Sequence, residues 1–546
     1  MTSDGAWRRL IHTALILAMT GLVIGQQGTP LTPALAIALD GIRAERLMAH
    51  VTTLASDAFE GRGPGTRGET RTVDYLVEQF KLAGLQPGNP DGTYLQHVPL
   101  VGYISVPAIQ IEAGGLNTSL TFLDDFVHDY PALRPLASAA HAGIVFAGYG
   151  IVASEYGWND YEGVDVKNKL VIVLSGEPSG PGAFFKGDTR TYYSTRDFKF
   201  DLAAKKGAAG ILVVTDPDTA NTYSLFQTFA RMEGLGLASA RDSATVISGL
   251  MTIGAARRVA SLGGRDFDQL AAAAGQAHAS AVVLNATASI SVTSTIRNVV
   301  SSNVVARVEG SDTGLKDEYV VYSAHWDHLG RDPALAGDQI YNGALDNAVG
   351  TAQLLEIARA FASLERKPKR SILFIAVTAE EKGYLGSRFY TQHPLFPISK
   401  TIANINLDGG NVWGLTSDLI TSGYGLSTLD ESLAEAARLQ GRTFVYESID
   451  DGSLYFGSDQ IEFARAGIPA AFPFSGSAYV GRPKEFGDAH WTTYAERDYH
   501  QVTDEVQSDW DLSGAAEDGR WLLIAGYNVA DANTRPQWKR GSEFKR

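Results

Sequence analysis

Cysteine is absent from this 546-residue chain. That excludes disulfides, thiolate nucleophiles and cysteine-ligated metals, so any metal site must be built from His, Asp and Glu. Positive charge is also short: 46 Lys and Arg stand against 61 Asp and Glu, a net charge of −15 with neutral His. A surface of that sign disfavours nonspecific contact with nucleic acid phosphates, and no nucleic acid partner is expected. Proline numbers only 20, and the chain is 45% hydrophobic and 20% charged, which excludes a collagenous, low-complexity or largely disordered protein. What is present suffices for two or more domains with cores that need no covalent staples.

A long apolar run occurs near the start, where Arg8 and Arg9 precede the mostly apolar stretch Leu10–Gly25, interrupted by His12 and Thr13. It is shorter than the roughly 20 residues a membrane span requires, so residues 1–28 read as a signal peptide rather than an anchor. Cleavage is expected near Gly25 or in the Ala-rich stretch 34–38. The mature protein is expected to be exported, periplasmic or secreted, with no stable membrane span.

Three stretches follow, at 40–134, 135–290 and 297–535. The first opens with a helical pattern from Asp40 to about Leu85, with a stripe at Val73, Leu76, Val77 and Phe80. It is interrupted by Glu60-Gly-Arg-Gly-Pro-Gly65, read as a tight surface turn that serves as scaffold or as the rim of a pocket. The second carries short apolar strands at 144–146, 170–174 and 211–214 and reads as an accessory module. The third alternates strands (319–323, 371–378, 402–407) with helices (351–361 and from 386). This pattern predicts an α/β, doubly wound, mostly parallel sheet with helices on both faces, with its site beyond the C-terminal strand ends.

Those strand ends carry the chemistry. After the first comes His325-Trp-Asp327-His328, and then Asn342-Gly-Ala-Leu-Asp346-Asn347. The next ends in Ala379-Glu380-Glu381, the following one in Asn406-Leu-Asp408, and Tyr499-His500-Gln501 stands far downstream. Paired divalent ions need carboxylates and imidazoles, one carboxylate bridging, and His325, Asp346, Glu381, Asp408 and His500 supply such a set. Glu380 and Glu381 are adjacent, so one is easily directed at the ions while the other can sit over a water as base.

These ordered motifs, together with Glu380-Glu-Lys-Gly-Tyr-Leu-Gly-Ser387, resemble the M28 family of co-catalytic zinc peptidases. The likeness is to the secreted aminopeptidases that carry an inserted protease-associated (PA) domain. The resemblance implies that 40–134 and 297–535 form the peptidase domain around a β-rich PA domain at 135–290. It implies two Zn2+ per chain, one held by His325 and Asp408, the other by Glu381 and His500, with Asp346 bridging. Asp327 would orient His325, Glu380 would be the general base, and Tyr455 would donate to the oxyanion. Gln460 departs from the family pattern, where His is common, and is expected to alter the substrate pocket. Val349 replaces a common Ser. His328 falls outside the ligand assignment and reads as structural or pocket-lining.

The implied activity is an exopeptidase releasing N-terminal residues from peptides with a free N-terminus. A carboxypeptidase or dipeptidase of the same family and a non-catalytic binding protein are the alternatives. Cobalt or manganese could take the place of zinc in such a site.

Overall fold

The run Tyr319–His325 pairs in parallel with Ser371–Val377 on one side and Thr401–Asn406 on the other, and Ala470–Ser475 extends the parallel set. The structure, a computed structural model, describes residues 33–179, 185–187, 189–215, 220–242, 245–276, 279–445 and 453–545. The expected signal segment 1–28 lies outside the described residues. Every residue of Tyr319–His325 and Ser371–Val377 is buried, as befits strands covered on both faces. Alternation sorts their side chains: Val320, Tyr322, Ala324, Ile372, Phe374 and Ala376 enter one core, while Tyr319, Val321, Leu373, Ile375 and Val377 enter another.

Helices Ala44–Leu54, Gly350–Ser363 and Ser513–Asp531 close the first core; Leu385–Gln392 and Gln460–Arg465 close the second. Helices therefore lie on both faces, as the strand–helix alternation predicts. The sheet is mixed, however, because Asp418–Ser422 runs antiparallel to Ala470–Ser475 and Val282–Val308 antiparallel to Ser371–Val377.

Val282–Val308 is long enough to serve two sheets at once. Its end pairs with Ser371–Val377, and its beginning pairs with Leu136–Phe146. From there Leu170–Leu174, Gly210–Val214 and Ile247–Met251 follow in parallel, and Phe126–Pro131, which precedes residue 135, supplies the antiparallel edge. This second module has its own cores. Helices Ile253–Leu262 and Phe267–Ala274 cover one side of its strands, and Arg196–Lys205 and Ala220–Arg231 the other. It is an α/β layer rather than the β-rich insert expected.

The first helical stretch also departs from expectation. Thr66 caps Arg67–Leu82 by accepting from the Gly68 N–H at 3.1 Å, and the helix buries Val73, Leu76 and Phe80 as the stripe predicts. The Glu60–Gly65 loop, read as a surface turn, instead buries Gly61 and Arg62 beneath the strand ends. Among the described residues no helix is long and apolar enough to cross a membrane.

Candidate metal centre

His325, Glu380, Glu381 and Asp408 sit at the C-terminal ends of parallel strands, while His500 follows helix Phe486–Arg497. His325 ends its strand, Glu380 and Glu381 follow Val377, and Asp408 follows Asn406. Asp346 lies in the irregular turn Ala344–Val349, which the neighbouring loops hold in place. The Asp504 carboxylate accepts from Leu345 N at 2.9 Å and Asp346 N at 3.0 Å. Asn347 accepts from Gly350 N and Gly409 N and donates to Leu407 O, which ties this turn to the Asp408 strand end. Gly343 has φ +58°, and a Cβ there would stand 2.3 Å from Asp346 O and 2.5 Å from the His328 ring; only glycine fits.

Arg62 is the keystone under these loops. Its guanidinium donates to Trp326 O, Leu54 O, Asn342 O and Gly343 O at 2.5–2.9 Å. Burial lowers its pKa to about 10, against the pull of Asp504, Asp346 and Asp327, so it stays charged at neutral pH. The Glu-Gly-Arg-Gly motif marked this loop in the sequence, but nothing there tells that the arginine points inward.

The turn brings Asp346 between two imidazoles. Its Oδ1 lies 3.3 Å from His325 Nε2, and its Oδ2 lies 3.1 Å from His500 Nε2. Asp408 Oδ1 stands 3.1 Å from the same His325 nitrogen, and Glu381 Oε2 stands 3.1 Å from the same His500 nitrogen. One ligand atom each of His325, Asp346 and Glu381 lie within 4.8 Å of one another, a cluster able to hold a metal ion. The donor set fits zinc: metal–ligand distances of about 2.0–2.1 Å set the edge of a tetrahedron at roughly 3.3 Å, the spacing found here.

Electrostatics follow from that packing. Burial opposes charge throughout, yet the His325 and His500 contacts hold Asp346 well below the usual carboxylate range, and His500 and His328 do the same for Glu381. The same pairs raise His325 well above its ordinary value and His500 to about 10. Glu380 is different. Burial raises it well above the ordinary range, with Asp408, Glu381 and Asp459 adding to the effect and His325 opposing it.

The structure thus brings together His325, Asp346, Glu381, Asp408 and His500, with Glu380 beside them. Asp327 is present but differently engaged: His325 Nδ1 lies 3.1 Å from the Asp327 carbonyl and 4.0 Å from its carboxylate, which accepts the Glu380 N–H at 3.1 Å. The Asp327 side chain therefore anchors the Glu380 loop.

Tyr455 is not brought to the cluster. Its ring packs with Phe456 and Phe544, and its hydroxyl donates to Ala470 O at 3.0 Å. A buried phenol needs an acceptor, and here the strand supplies it. Gln460 is likewise not in the cleft: it accepts from Asn406 Nδ2 and donates to Tyr455 O, wholly buried. Val349 is buried in the core. His328, set apart in the sequence, is within 2.6 Å of Glu381 Oε1 through its Nδ1 and fixes that carboxylate from behind.

A cavity of about 320 Å3 opens from Glu380, Glu381 and His500 toward the second module. Phe226 and Phe229 of helix Ala220–Arg231 wall it, with Tyr130, Tyr384 and Tyr499. Tyr499 stacks on His500 at 3.9 Å between ring centroids, and Phe229 lies 5.6 Å from the same imidazole.

Residues 303–523 match the model of peptidase family M28. The matched stretch contains all five clustered residues and Glu380. An aminopeptidase of Mus musculus is 37% identical over 113 residues, covering 20% of this chain and 13% of that protein. A probable glutamate carboxypeptidase of Arabidopsis thaliana is 26% identical over 377 residues, 63% of this chain and 48% of that protein. An aminopeptidase of Bacillus subtilis is 28% identical over 213 residues, 38% of this chain and 41% of that protein. The chain spans less than half the length of each of these curated relatives. Among solved structures, an aminopeptidase from Aneurinibacillus sp. strain AM-1 aligns with TM-score 0.49 and 20% identity, covering 91% of this chain and 96% of that one.

Proposed function

We propose that the chain is a zinc-dependent metallopeptidase, an exopeptidase that releases N-terminal residues from peptides with about two zinc ions acting together. The observation that carries this reading is Asp346, whose two oxygens each face a separate imidazole–carboxylate pair. In this reading His325 and Asp408 would hold one ion and Glu381 and His500 the other, with Asp346 shared between them. When bound, such ions polarise the scissile carbonyl and acidify a water. Glu380, on the cavity wall with its backbone held by Asp327, takes the proton of the attacking water and delivers it to the leaving amine nitrogen. The aromatic walls exclude water and accept substrate side chains.

The direction of attack, from a free N-terminus, is supported by the motifs shared with aminopeptidases and by the relatives of that name. The module around 135–290 is read as a protease-associated domain that shapes the cleft. Export to the periplasm or beyond is read from the basic, then apolar, residues 1–28.

The test is hydrolysis of a peptide panel with N-termini free or blocked, before and after chelation and zinc return. The reading predicts cleavage that needs a free N-terminus, disappears with chelator and returns with zinc. Equal cleavage of blocked peptides contradicts the direction, and activity indifferent to chelation contradicts the metal.

A further inference from the structure

The charged groups lining the cavity beside the metal centre, outside the centre itself, are almost all matched by opposite charge. Glu233 is held by Arg297 through two hydrogen bonds of 2.6 and 2.7 Å. Asp197 pairs with Arg388 at 3.0 Å, and Asp129 with Arg196 at 3.5 Å. Arg196 also lies over the Phe226 ring at 4.0 Å. Lys382 is the exception. Among the described residues no carboxylate lies within 4 Å of its ammonium and none hydrogen-bonds to it, although it lines the cavity next to Glu381. Its ammonium stands over the face of Phe229, 5.8 Å from the ring centroid. Glu381 beside it is already engaged by His328 and His500.

A half-buried ammonium with no carboxylate within 4 Å, on which Glu381, Asp327 and Glu233 act only from farther off, gains from an anion that meets it on the cavity side. Phe229 relates the ammonium to the metal centre. The ring centroid lies 5.6 Å from the His500 ring and 5.8 Å from the Lys382 ammonium, which caps their separation at about three extended residues of roughly 3.5 Å each. A di- or tripeptide whose scissile carbonyl is at the metal centre carries its terminal carboxylate over that span. A longer peptide carries an amide there, and a residue with an acidic side chain could place a second kind of carboxylate.

We propose that Lys382 binds the C-terminal carboxylate of short peptides, so that the site selects di- and tripeptides over longer chains. This rests on the peptidase reading above and extends it to substrate length. Phe229 supports the ammonium and presents an apolar face to the side chain of the residue after the scissile bond.

The experiment compares Ala-, Leu- and Phe-initiated tripeptides with the C-terminus free or amidated, alongside tripeptides with Glu or Gln in second place. The wild-type chain is set against Lys382→Met, which keeps the stem packed on Phe229, and Lys382→Arg, which keeps the charge. The expected wild-type preference for a free C-terminus is about 10–100-fold in kcat/KM, expressed mainly in KM, as for a charge-assisted contact. That ratio is expected to fall to within about threefold in Lys382→Met and to be largely kept in Lys382→Arg. Calorimetry with the zinc-free full chain gives an independent readout, in which the free tripeptide binds more tightly than the amide in wild type and not in Lys382→Met.

Equal turnover of free and amidated tripeptides by wild type, or a preference that survives Lys382→Met, overturns the assignment. So does a preference that follows Glu over Gln in second place and ignores amidation. A chain that cleaves neither form but binds the free tripeptide through Lys382 overturns the hydrolase reading and leaves Lys382 standing. Equal cleavage of N-blocked tripeptides, with the carboxylate preference intact, overturns only the direction of attack.

Discussion

At the scale of single residues, the proposed function assigns some groups of the site to hold metal and one, Glu380, to react. Asp346 and Glu381 are kept ionised by imidazoles at 3.1–3.3 Å and 2.6–3.1 Å respectively. Glu380, with burial and other carboxylates around it, is driven toward the protonated form. Environment thus shifts two adjacent glutamates in opposite directions. Glu380→Gln is expected to lower kcat about 10²–10⁴-fold, with metal content and unfolding midpoint near wild type. A kcat within tenfold of wild type would show that another group moves the proton. The clustered His, Asp and Glu residues were readable because metal chemistry restricts residue types and because most of them recur after successive apolar strands. Arg62 and Lys382 were not, since no spacing rule tells an inward-pointing cation from a solvated one. Tyr455 was misplaced for a related reason: motif position does not reveal whether a phenol finds its acceptor in the cleft or, as here, at Ala470 O.

At the scale of elements, the loops are precise because helices and strands beneath them are tied by buried charge. Glu356, on Gly350–Ser363, binds Arg46 at 2.8 and 2.9 Å, Arg359 at 2.8 Å and His50 at 3.3 Å, joining that helix to Ala44–Leu54. Burial would raise its pKa, but these partners outweigh burial and hold it below the usual range. A carboxylate depressed in the folded state stabilises the fold above its unfolded pKa of about 4.3 and loses that contribution as pH falls. Glu356→Gln is expected to cost about 2–3 kcal/mol at pH 7, toward the low side for a broken buried pair because Arg46 keeps water. The gap should narrow as pH drops below about 4, followed by denaturant unfolding across pH. A gap that stays constant down to pH 3 would assign the effect to packing. Element types in the last third of the chain were legible because strands buried on both faces read as continuous apolar runs. The mixed direction of the sheet was not, since Val282–Val308 takes its orientation from partners remote in sequence.

At the scale of the molecule, two modules share the strand Val282–Val308 and face each other across the cavity. Arg388 clasps them: it bonds Asp197 of helix Arg196–Lys205 at 3.0 Å and Glu462 of helix Gln460–Arg465 at 3.1 Å. Arg388→Met is expected to destabilise the protein by about 2 kcal/mol and to raise KM, since Phe226 and Phe229 would drift from His500. An unchanged KM in a destabilised variant would show that the cleft is set elsewhere.

The central claim, that Asp346 joins two metal sites, is tested most directly by counting zinc per chain in wild type, Glu380→Gln and Asp346→Asn after dialysis against limiting chelator. The account predicts about two equivalents in wild type and in Glu380→Gln, with both sites weakened together in Asp346→Asn. A single equivalent in wild type, or an Asp346→Asn chain that still holds two, would contradict it.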